Sequence, residues 1–499
     1  MAIVPDDTRS YVQTKNAQYE EYEDKWKLIR DVMKGDVTEY LRNIGKTELD
    51  STYGRQRQKE YEDGAIFYNF SKRTSDGMTG SVMRKDAQIN IPASIQYLIE
   101  DADGNGQPLE QQANRVVREC IEVGRGGLFV DVPSQNFESV STINGTNLSN
   151  DYVVSLQDQA DGKINPKIQY YPAESIINWR TQRFGSVNRL VLIVLKEEYE
   201  YQSGENEFMY LVGEQYRVLD IGPDGFYRQR VYRFSQAGEQ TSYDEVEPVS
   251  NGNKMTEIPF TFVGAENNDY SVDEPPLFPL CTLNIGHYRN SADNEEFLHI
   301  LGQAMLTVSP SNAIAAKWKE QNPQGIKFGA REGINLGEGG RAEILQAQPN
   351  TANYEAMRAK EEQAVQIGAQ LITPSLQETA EAARIKNGAD TSVLASISEN
   401  VSAAYVKAIG WCLMFLNDSS SDYEFVLNKD FFFDKLSAQD RQQWVADIQA
   451  GILPWSSYTA EMRRTGQVNP DLTDEELSQQ ISEGQEMLNL SDGTLDLGV

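Results

Sequence analysis

Apolar residues recur at helical spacing over two long stretches in the second half of the chain. The first predicted helix covers residues 280–306 and the second covers residues 351–372. At 1.5 Å of rise per residue they would be about 40 Å and about 33 Å long. The segment between them, 307–350, has strand-like patches at 326–328 and 342–345. We therefore expect a helix pair with a β-containing tip at its far end.

The second of these helices is rich in small residues, among them Ala352, Ala356, Ala364 and Gly368. Small side chains allow another helix to approach closely. Two long helices around a β-rich insert are expected in an elongated subunit whose helical faces are covered by neighbouring copies, an arrangement that points to a ring. An ordinary helical hairpin with a β arm inside one monomer is the alternative.

The rest of the chain divides by its hydrophobic pattern into a helical start, a β-rich middle and a helical end. Helices are predicted over 9–45, 55–82 and 108–124, and the apolar run LFVDVP predicts a short buried strand. Residues 165–265 alternate between apolar and polar side chains and predict an antiparallel β-rich unit. Helices return at 383–433 and after residue 434. The predicted fold class is α+β.

The charge of the chain narrows the possible functions. The 499 residues include 75 acidic and 45 basic side chains, which give a formal net charge of −30. Proteins that grip DNA gain affinity by neutralising phosphates, so a repressor, polymerase or nuclease is disfavoured. An acidic surface can still line a path along which nucleic acid passes without sticking.

Targeting signals and the pattern of cysteines further restrict the class of protein that the sequence can encode. No run approaches the roughly 18 apolar residues that cross a bilayer, so no membrane association is expected. The N-terminal sequence has no signal-peptide pattern. Cys120, Cys281 and Cys412 each lie in an apolar helical pattern and predict buried thiols in a protein folded in a reducing cytoplasm.

One loop resembles a calcium site. Asp101, Asp103 and Asn105, followed by Gly106, match the first half of an EF-hand loop, in which carboxylate and amide oxygens bind the ion. The closing position is Gln112, which supplies no charge. A turn rich in Asp and Asn between two helices is therefore the favoured interpretation, with calcium as a weak alternative.

The two histidines do not form a recognisable site. His287 and His299 lie twelve residues apart on one predicted helix, not at the spacing that brings two metal ligands together. We expect a solvated helix face; a carboxylate–histidine site with Asp293, Glu295 and Glu296 is the alternative. The Gly124–Gly127 stretch lacks the context of a phosphate loop and is expected to cap the preceding helix. No cofactor or catalytic constellation is predicted, which disfavours an enzyme.

Several stretches, taken in order, resemble the portal proteins of tailed bacteriophages, in particular a divergent family found in phages and prophages. These stretches are DADGNG with VGRGGLFVDVP, then YYPAESIINW, PPLFPLCTLNIGHYRNSADNEEFLHILG and IGAQLITPSLQETAEAARIK. The resemblance covers roughly residues 60–415. No single motif is specific, but their order and spacing carry the likeness.

The resemblance implies a mainly helical portal fold with named regions. The following regions are expected: a wing at 1–275, stem helices at 276–306 and 351–372, a clip at 307–350, a tunnel loop at 373–382, a wing or channel helix at 383–433 and a crown-like region at 434–499. The wing would be helical to about residue 130 and β-rich over about 165–265.

The resemblance also implies a function in the virion. A dodecameric ring at one capsid vertex would contact the major capsid protein, dock the terminase and the head–tail adaptor or connector proteins, and let double-stranded DNA pass non-specifically during packaging and ejection. Assembly would take place in the host bacterial cytoplasm. Tunnel-loop candidates are Thr373, Pro374, Ser375, Gln377 and Glu378, and candidates for clip and partner contacts are Lys327, Arg331 and Arg341.

Two other classes of function remain open from the residues alone. One is a different connector or structural protein of the virion. The other is a soluble metal-binding enzyme that uses the loop at residues 101–105. A ring of about twelve subunits seen by imaging or native mass favours the portal over the enzyme, whereas a monomer with calcium-dependent melting favours the enzyme.

Overall fold

The computed structural model describes residues 11–44, 51–132, 165–202, 208–235, 238, 240–250, 253–302, 305–321, 336–345, 351–372 and 393–429, with shorter pieces within 443–480. The chain separates into two compact units, Met1–Lys429 and Asp430–Val499. Helices and sheets both contribute to the first unit, so the α+β class is confirmed.

Nine helices are named here in chain order. They are α1 Ala17–Lys34, α2 Thr52–Gly64, α3 Phe70–Val82, α4 Leu109–Val123, α5 Phe278–Leu301, α6 Ala315–Gln321, α7 Ala352–Ile372, α8 Val393–Phe415 and, in the second unit, α9 Trp455–Arg464. Their ends follow local chemistry. Asn16 caps α1 by accepting a hydrogen bond from the backbone N–H of Gln18, and Gly35 ends α1 in the left-handed conformation with φ of 82°.

Two helical predictions near the N-terminus need correction. The helix expected over 9–45 is α1 followed by a short 3-10 helix at Thr38–Tyr40, because Gly35 ends α1. The region expected as one helix over 55–82 is two helices, and Asn69 starts the second by accepting a hydrogen bond from the N–H of Lys72. Gly124 ends α4 with φ of 73°, as predicted.

The strands form several antiparallel sheets. They are β1 Gln88–Asn90, β2 Arg125–Asp131, β3 Lys167–Pro172, β4 Ile176–Phe184, β5 Val187–Gln202, β6 Tyr210–Ile221, β7 Tyr227–Phe234, β8 Gln240–Val246, β9 Val249–Ser250, β10 Asn253–Lys254, β11 Phe260–Gly264, β12 Met305–Ser309, β13 Arg341–Leu345 and β14 Glu424–Val426. The largest sheet has the order β4-β5-β6-β7-β8, and a second has the order β11-β2-β3. The antiparallel strands predicted over 165–265 are therefore present.

Strand β2 begins three residues earlier than the LFVDVP pattern indicates, because two glycines are part of it. At Gly127 an added Cβ would lie 2.2 Å from Cζ of Phe260 on the paired strand β11. Only glycine allows the two strands to approach in this way. The glycines after Gly124 thus serve the strand as well as the helix end.

The core of the first unit lies where α4 and α8 pack on the β11-β2-β3 sheet. The hydroxyl of Tyr405 on α8 donates to Oε1 of Gln112 on α4 at 3.1 Å, and the Gln112 amide donates to the carbonyl of Ile168 on β3 at 2.7 Å. The Tyr405 ring also stacks on Phe425 of β14, with centroids 4.7 Å apart. Helix α8 is therefore a buried core helix over its described length.

The second unit is described only in part. Its helix α9 brings the rings of Trp455 and Tyr458 to a centroid distance of 5.3 Å. The hydroxyl of Thr459 donates to Oδ1 of Asp474 at 2.7 Å, and Arg463 forms an ion pair with the same carboxylate. These contacts stabilise α9, which lies in the region after residue 434 where helices are predicted.

Candidate functional site

The two long helices α5 and α7 pack antiparallel and are joined by polar contacts. Nε2 of His287 lies 3.1 Å from Oε1 of Glu361. One turn further along, Nζ of Lys360 donates to Oδ1 of Asn290 at 2.6 Å. Gly286 allows the stem of Lys360 to pass, because an added Cβ would lie 3.3 Å from its Cε. The predicted helix pair is confirmed.

The antiparallel pairing continues beyond the helices into a two-stranded ladder. Strands β12 and β13 pair from Met305 opposite Leu345 to Ser309 opposite Arg341, and α6 follows β12. The strand predicted at 342–345 is therefore present. The strand-like patch at 326–328 lies outside the described residues. Helix α5 ends at Leu301 and not at residue 306, because the chain leaves the helix to pair with β13.

Burial changes sharply along the helix pair. The first half of α5 is buried against the body of the unit, whereas the described side chains from Asp293 onward are half-buried or exposed. On α7, the buried residues among those described are Met357, Ala364 and Gly368. Two large side chains of α7 face solvent, with Tyr354 54% and Val365 73% exposed. The pair thus becomes more exposed toward the tip, although α2 still contacts α5 through Tyr61 with Asp293 and Arg57 with Glu296.

Helix α5 is fixed to the N-terminal part of the chain by side chains from its base as far along as Asp293. Oδ1 of the buried Asn284 accepts hydrogen bonds from the N–H of Ser71 at 3.2 Å and its hydroxyl at 3.0 Å. Asp293 accepts from the hydroxyl of Tyr61 at 2.8 Å and pairs with Arg42 at 2.9 Å. Burial, followed by the Asp293 carboxylate, raises the pKa of Tyr61 above its usual range. This side of α5 is built for anchoring.

The expectation of a solvated helix face is wrong for His287. Its side chain is fully buried between the ring edges of Tyr68 and Phe70, at centroid distances of 5.5 and 5.7 Å. His299 is exposed near the end of α5. Because Asp293 is committed to Tyr61 and Arg42, the alternative carboxylate–histidine site is not assembled. No group of His, Cys, Asp and Glu suited to a metal ion occurs in the described part of the chain.

The loop at residues 101–105 uses its acidic side chains within the chain. Oδ1 of Asp101 accepts from the N–H groups of Gly104 and Gly106, at 2.8 and 2.9 Å. Its Oδ2 binds Nζ of Lys167 at 2.7 Å. Partial burial acts to raise the pKa of Asp101, but Lys167 and the two N–H groups hold it below the usual range. Gln112 lies in the core instead of closing this loop, so the geometry is that of an Asp-rich turn.

Most of the residues expected to meet DNA or partner proteins lie outside the described residues. These are Lys327, Arg331, Thr373, Pro374, Ser375, Gln377 and Glu378. Arg341 is described: it begins β13 opposite Ser309 and is exposed. The tip therefore presents at least this one guanidinium to solvent.

A charged cluster in the body of the unit carries no signal in the sequence. Arg30 on α1 contacts three carboxylates: Glu119 at 2.5 Å, Glu122 at 3.3 Å and Glu174 at 2.7 Å. The carboxylates of Glu119 and Glu122 are 7% exposed. A second cation, Arg118, lies 3.9 Å from Glu122. Burial nevertheless raises the pKa of both Glu119 and Glu122.

The three cysteines are buried, as the apolar pattern predicts. Burial raises the pKa of the Cys281 thiol to about 12, so it stays protonated and unreactive at neutral pH. Among the described helices, none is long and apolar enough to cross a membrane.

Comparison with known proteins gives a family model of unknown function and distant structural neighbours. The domain of unknown function DUF4055 matches residues 276–416, which include α5, the tip, α7 and α8. No curated protein matches the chain. A chain in the virion of a native gene transfer agent particle has 12% identity and a TM-score of 0.37, with 78% of this chain and 87% of that chain covered.

Two further neighbours come from the neck of gene transfer agent particles. The first, from an empty particle computed with C6 symmetry, has 11% identity and a TM-score of 0.39, with 79% of this chain and 89% of that chain covered. The second, from a native particle computed with C12 symmetry, has 12% identity and a TM-score of 0.35, with 77% and 87% covered. Likenesses at this level assign no activity to the chain.

Proposed function

We propose that the chain is a structural protein of a virion and forms a ring through which DNA passes, as the portal at one capsid vertex. The observation that carries the proposal is the α5–α7 pair, which is anchored at its base, exposed along its far half and ended by the β12–β13 tip. The stretches of sequence that resemble portal proteins, including most of α5, support the same function.

The exposure of the helix pair favours several copies side by side. A helix with exposed large apolar side chains such as Val365 and Tyr354 gains stability when a neighbour covers them. In a ring, each pair would be flanked by the pairs of two neighbouring subunits. The exposed side chains of both halves, Val365 toward the base and Tyr354 toward the tip, would then be covered, and the pair would line the wall of a channel.

The charge of the chain fits a passage better than a clamp. Phosphate clamping by Lys and Arg would hold a duplex in place, whereas a net charge of −30 repels it from the wall. Residues 373–382, with Glu378 and Glu381, would face the DNA as a tunnel loop and would contact it weakly. The packaging motor would be a separate protein.

The tip is the proposed contact region for terminase and for the head–tail adaptor or connector proteins. It is the part of the helix pair farthest from the anchored base, and its exposed Arg341 can bind an acidic partner. The major capsid protein would meet the body of the first unit. Assembly in the host cytoplasm and incorporation at the capsid vertex complete the proposal.

The mass of the native assembly tests the proposal. The purified full-length chain should give a ring of about twelve copies in native mass spectrometry and in negative-stain images. In assembled particles, labelled chain should mark a single vertex. A monomer whose melting depends on calcium would overturn the proposal in favour of an enzyme, and label at many vertices would favour another virion protein.

A further inference from the structure

The five-stranded sheet has two chemically opposite ends, and strand β5 reaches both. With 16 residues, Val187–Gln202, β5 is about 50 Å long at roughly 3.3 Å per residue. At its start it pairs with β4, where Phe184 faces Val187, and at its end it pairs with β6, where Gln202 faces Tyr210.

The first end, which we call the basic end, is the β4–β5 turn with the residues next to it. No Asp or Glu occurs between Ile176 and Leu195. The apolar side chains Phe184 and Val187 are 47% and 54% exposed. The basic end also carries three exposed arginines, none of which forms an ion pair with the described residues: Arg180, Arg183 and Arg189.

The second end, which we call the acidic end, comprises residues 198–202 of β5 and 208–214 around the start of β6. Glu198 and Glu200 are exposed and form no ion pair with the described residues. Glu214 faces Glu198 across the ladder and binds Lys196 at 2.9 Å. The acidic end also exposes apolar side chains: Phe208 84%, Met209 49%, Tyr210 59% and Val212 49%.

A cavity of about 710 Å³ opens beside the basic end. Its lining includes Phe184, Val187 and Arg189 from the sheet, together with Tyr270, Lys407 and Trp411. Two acidic residues also line it, but both are engaged: Glu257 accepts from Nε1 of Trp411 at 2.7 Å, and Asp269 accepts from the N–H of Ser271 at 2.7 Å. A cavity of this size takes up a drug-sized ligand or several side chains.

Strand β5 is bulged between its two ends: Arg180 pairs with Leu192 and Thr181 pairs with Leu190, so Val191 is an extra residue. The acidic end and the basic end are different surfaces of the sheet, far apart along this strand. The acidic end of one copy can therefore be brought against the basic end of the next copy. Such a contact joins different surfaces of the two copies, and it closes into a ring when the rotation between copies fits.

We infer that the acidic end of one copy packs on the basic end of the next copy, with Met209 and Tyr210 covering the cavity and Glu198 and Glu200 facing the arginines. This inference rests on the proposed function and names a surface that joins the subunits. The net charge of −30 repels copies from one another at long range. Because each copy is acidic overall, the basic end is the surface to which the acidic end of a second copy is attracted.

Charge reversal of the two ends tests the inference in the full-length chain. One variant carries Arg183→Glu with Arg189→Glu, a second carries Glu198→Lys with Glu200→Lys, and a third combines all four changes. For each two-residue variant alone, the amount of assembled ring seen by native mass spectrometry should fall at least tenfold. An equal mixture of the two, and the third variant alone, should assemble again because every contact regains one acidic and one basic side.

The outcomes distinguish a failure of the proposed interface from a failure of the proposed ring. A matched control, Glu21→Lys with Asp24→Lys on the exposed face of α1, makes the same charge change as the second variant and should assemble normally. If the unmodified chain forms rings and both two-residue variants do so as well, the inference is overturned and the proposed function stands. Failure of both the mixture and the third variant also overturns the inference. A monomeric unmodified chain overturns the proposed function.

Discussion

Nε2 of His287 on α5 lies 3.1 Å from Oε1 of Glu361 on α7, so a fully buried imidazole is joined to a carboxylate that is 56% exposed. The contact lies where the buried base of the helix pair gives way to its exposed half. Nδ1 of His287 has no hydrogen-bond partner among the described residues. Glu361 is therefore the polar group on which this buried side chain depends.

Replacing Glu361 with Ala should destabilise the helix pair. The change leaves the buried imidazole without a partner and should cost about 1–2 kcal/mol. The neighbouring Glu362→Ala, at an exposed position of the same helix, should change stability by less than about 0.5 kcal/mol. Urea unfolding of the two variants measures the difference. Equal midpoints would mean that the contact does not hold α5 to α7.

Replacing Arg30 with Met should destabilise the first unit by about 3 kcal/mol, because the buried carboxylates lose their cation. Arg42→Met, which breaks the more exposed pair with Asp293, should cost less than about 1 kcal/mol. Urea unfolding at neutral pH compares them. A similar cost for both variants would contradict the role of burial.

The stability of the Arg30→Met variant should also depend on pH. Burial raises the pKa of Glu119 and Glu122 from the ordinary 4.5, so their favourable contribution is complete below that value and is lost as pH rises through the raised values. Without Arg30 the pKa of both should rise further. The cost of the substitution should therefore shrink as pH is lowered from 7 toward 5, and a cost that grows would contradict this.

Two glycine substitutions should have opposite effects on stability. At Gly127 an added Cβ would lie 2.2 Å from Phe260, so Gly127→Ala should cost about 1–3 kcal/mol. At Gly77, inside α3, an added Cβ would meet nothing within 4 Å. Gly77→Ala should therefore stabilise by about 0.5–1 kcal/mol. Thermal midpoints that move in the same direction would contradict this difference in packing.

Calcium should leave the thermal midpoint unchanged, because Asp101 already binds Lys167 and two backbone N–H groups. Asp101→Ala should lower the midpoint equally with calcium or with a chelator. A midpoint that rises with calcium only when Asp101 is present would show that the loop binds the ion.

Charge reversal of Lys327, Arg331 and Arg341 should impair DNA packaging or terminase binding without preventing ring formation. Packaging yield and terminase pull-down measure the effect. Reversal of the exposed Lys72 and Arg73 on α3, outside the tip, is the control for charge alone. Packaging and binding that both stay intact would contradict the assignment of these residues to partner contacts.

The sequence predicts the long helices well because their apolar spacing is a local property. It misplaces the end of α5: Gly302, directly after Leu301, is a local stop signal, but the apolar pattern continues to residue 306 because Met305 and Leu306 belong to β12, which forms by pairing with β13 some distance along the chain. The burial of His287 is missed for a similar reason. Its neighbours in sequence are mixed, with Ile285 and Tyr288 beside Arg289, so they do not mark its burial. Tyr68 and Phe70, which enclose it, come from a separate part of the chain.

In the candidate sites, too, local features can be predicted from the sequence and contacts between distant segments cannot. The turn at Asp101 can be predicted from local Asp and Gly spacing, but the Lys167 partner cannot. The cluster around Arg30 brings together side chains from three distant segments, so no motif marks it. The contrast between the two ends of β5 is visible only when the pairing of Val187 with Phe184 and of Gln202 with Tyr210 is known.

The length of β5 has a mechanical consequence if both its ends join subunits. A pull between the two contacts would pass along this one strand, from the contact at Arg189 to the contact at Glu198. The ladders to β4 and β6 run along the same direction, so their hydrogen bonds would be loaded together in shear and not opened one at a time. A subunit built in this way would resist stretching of the ring.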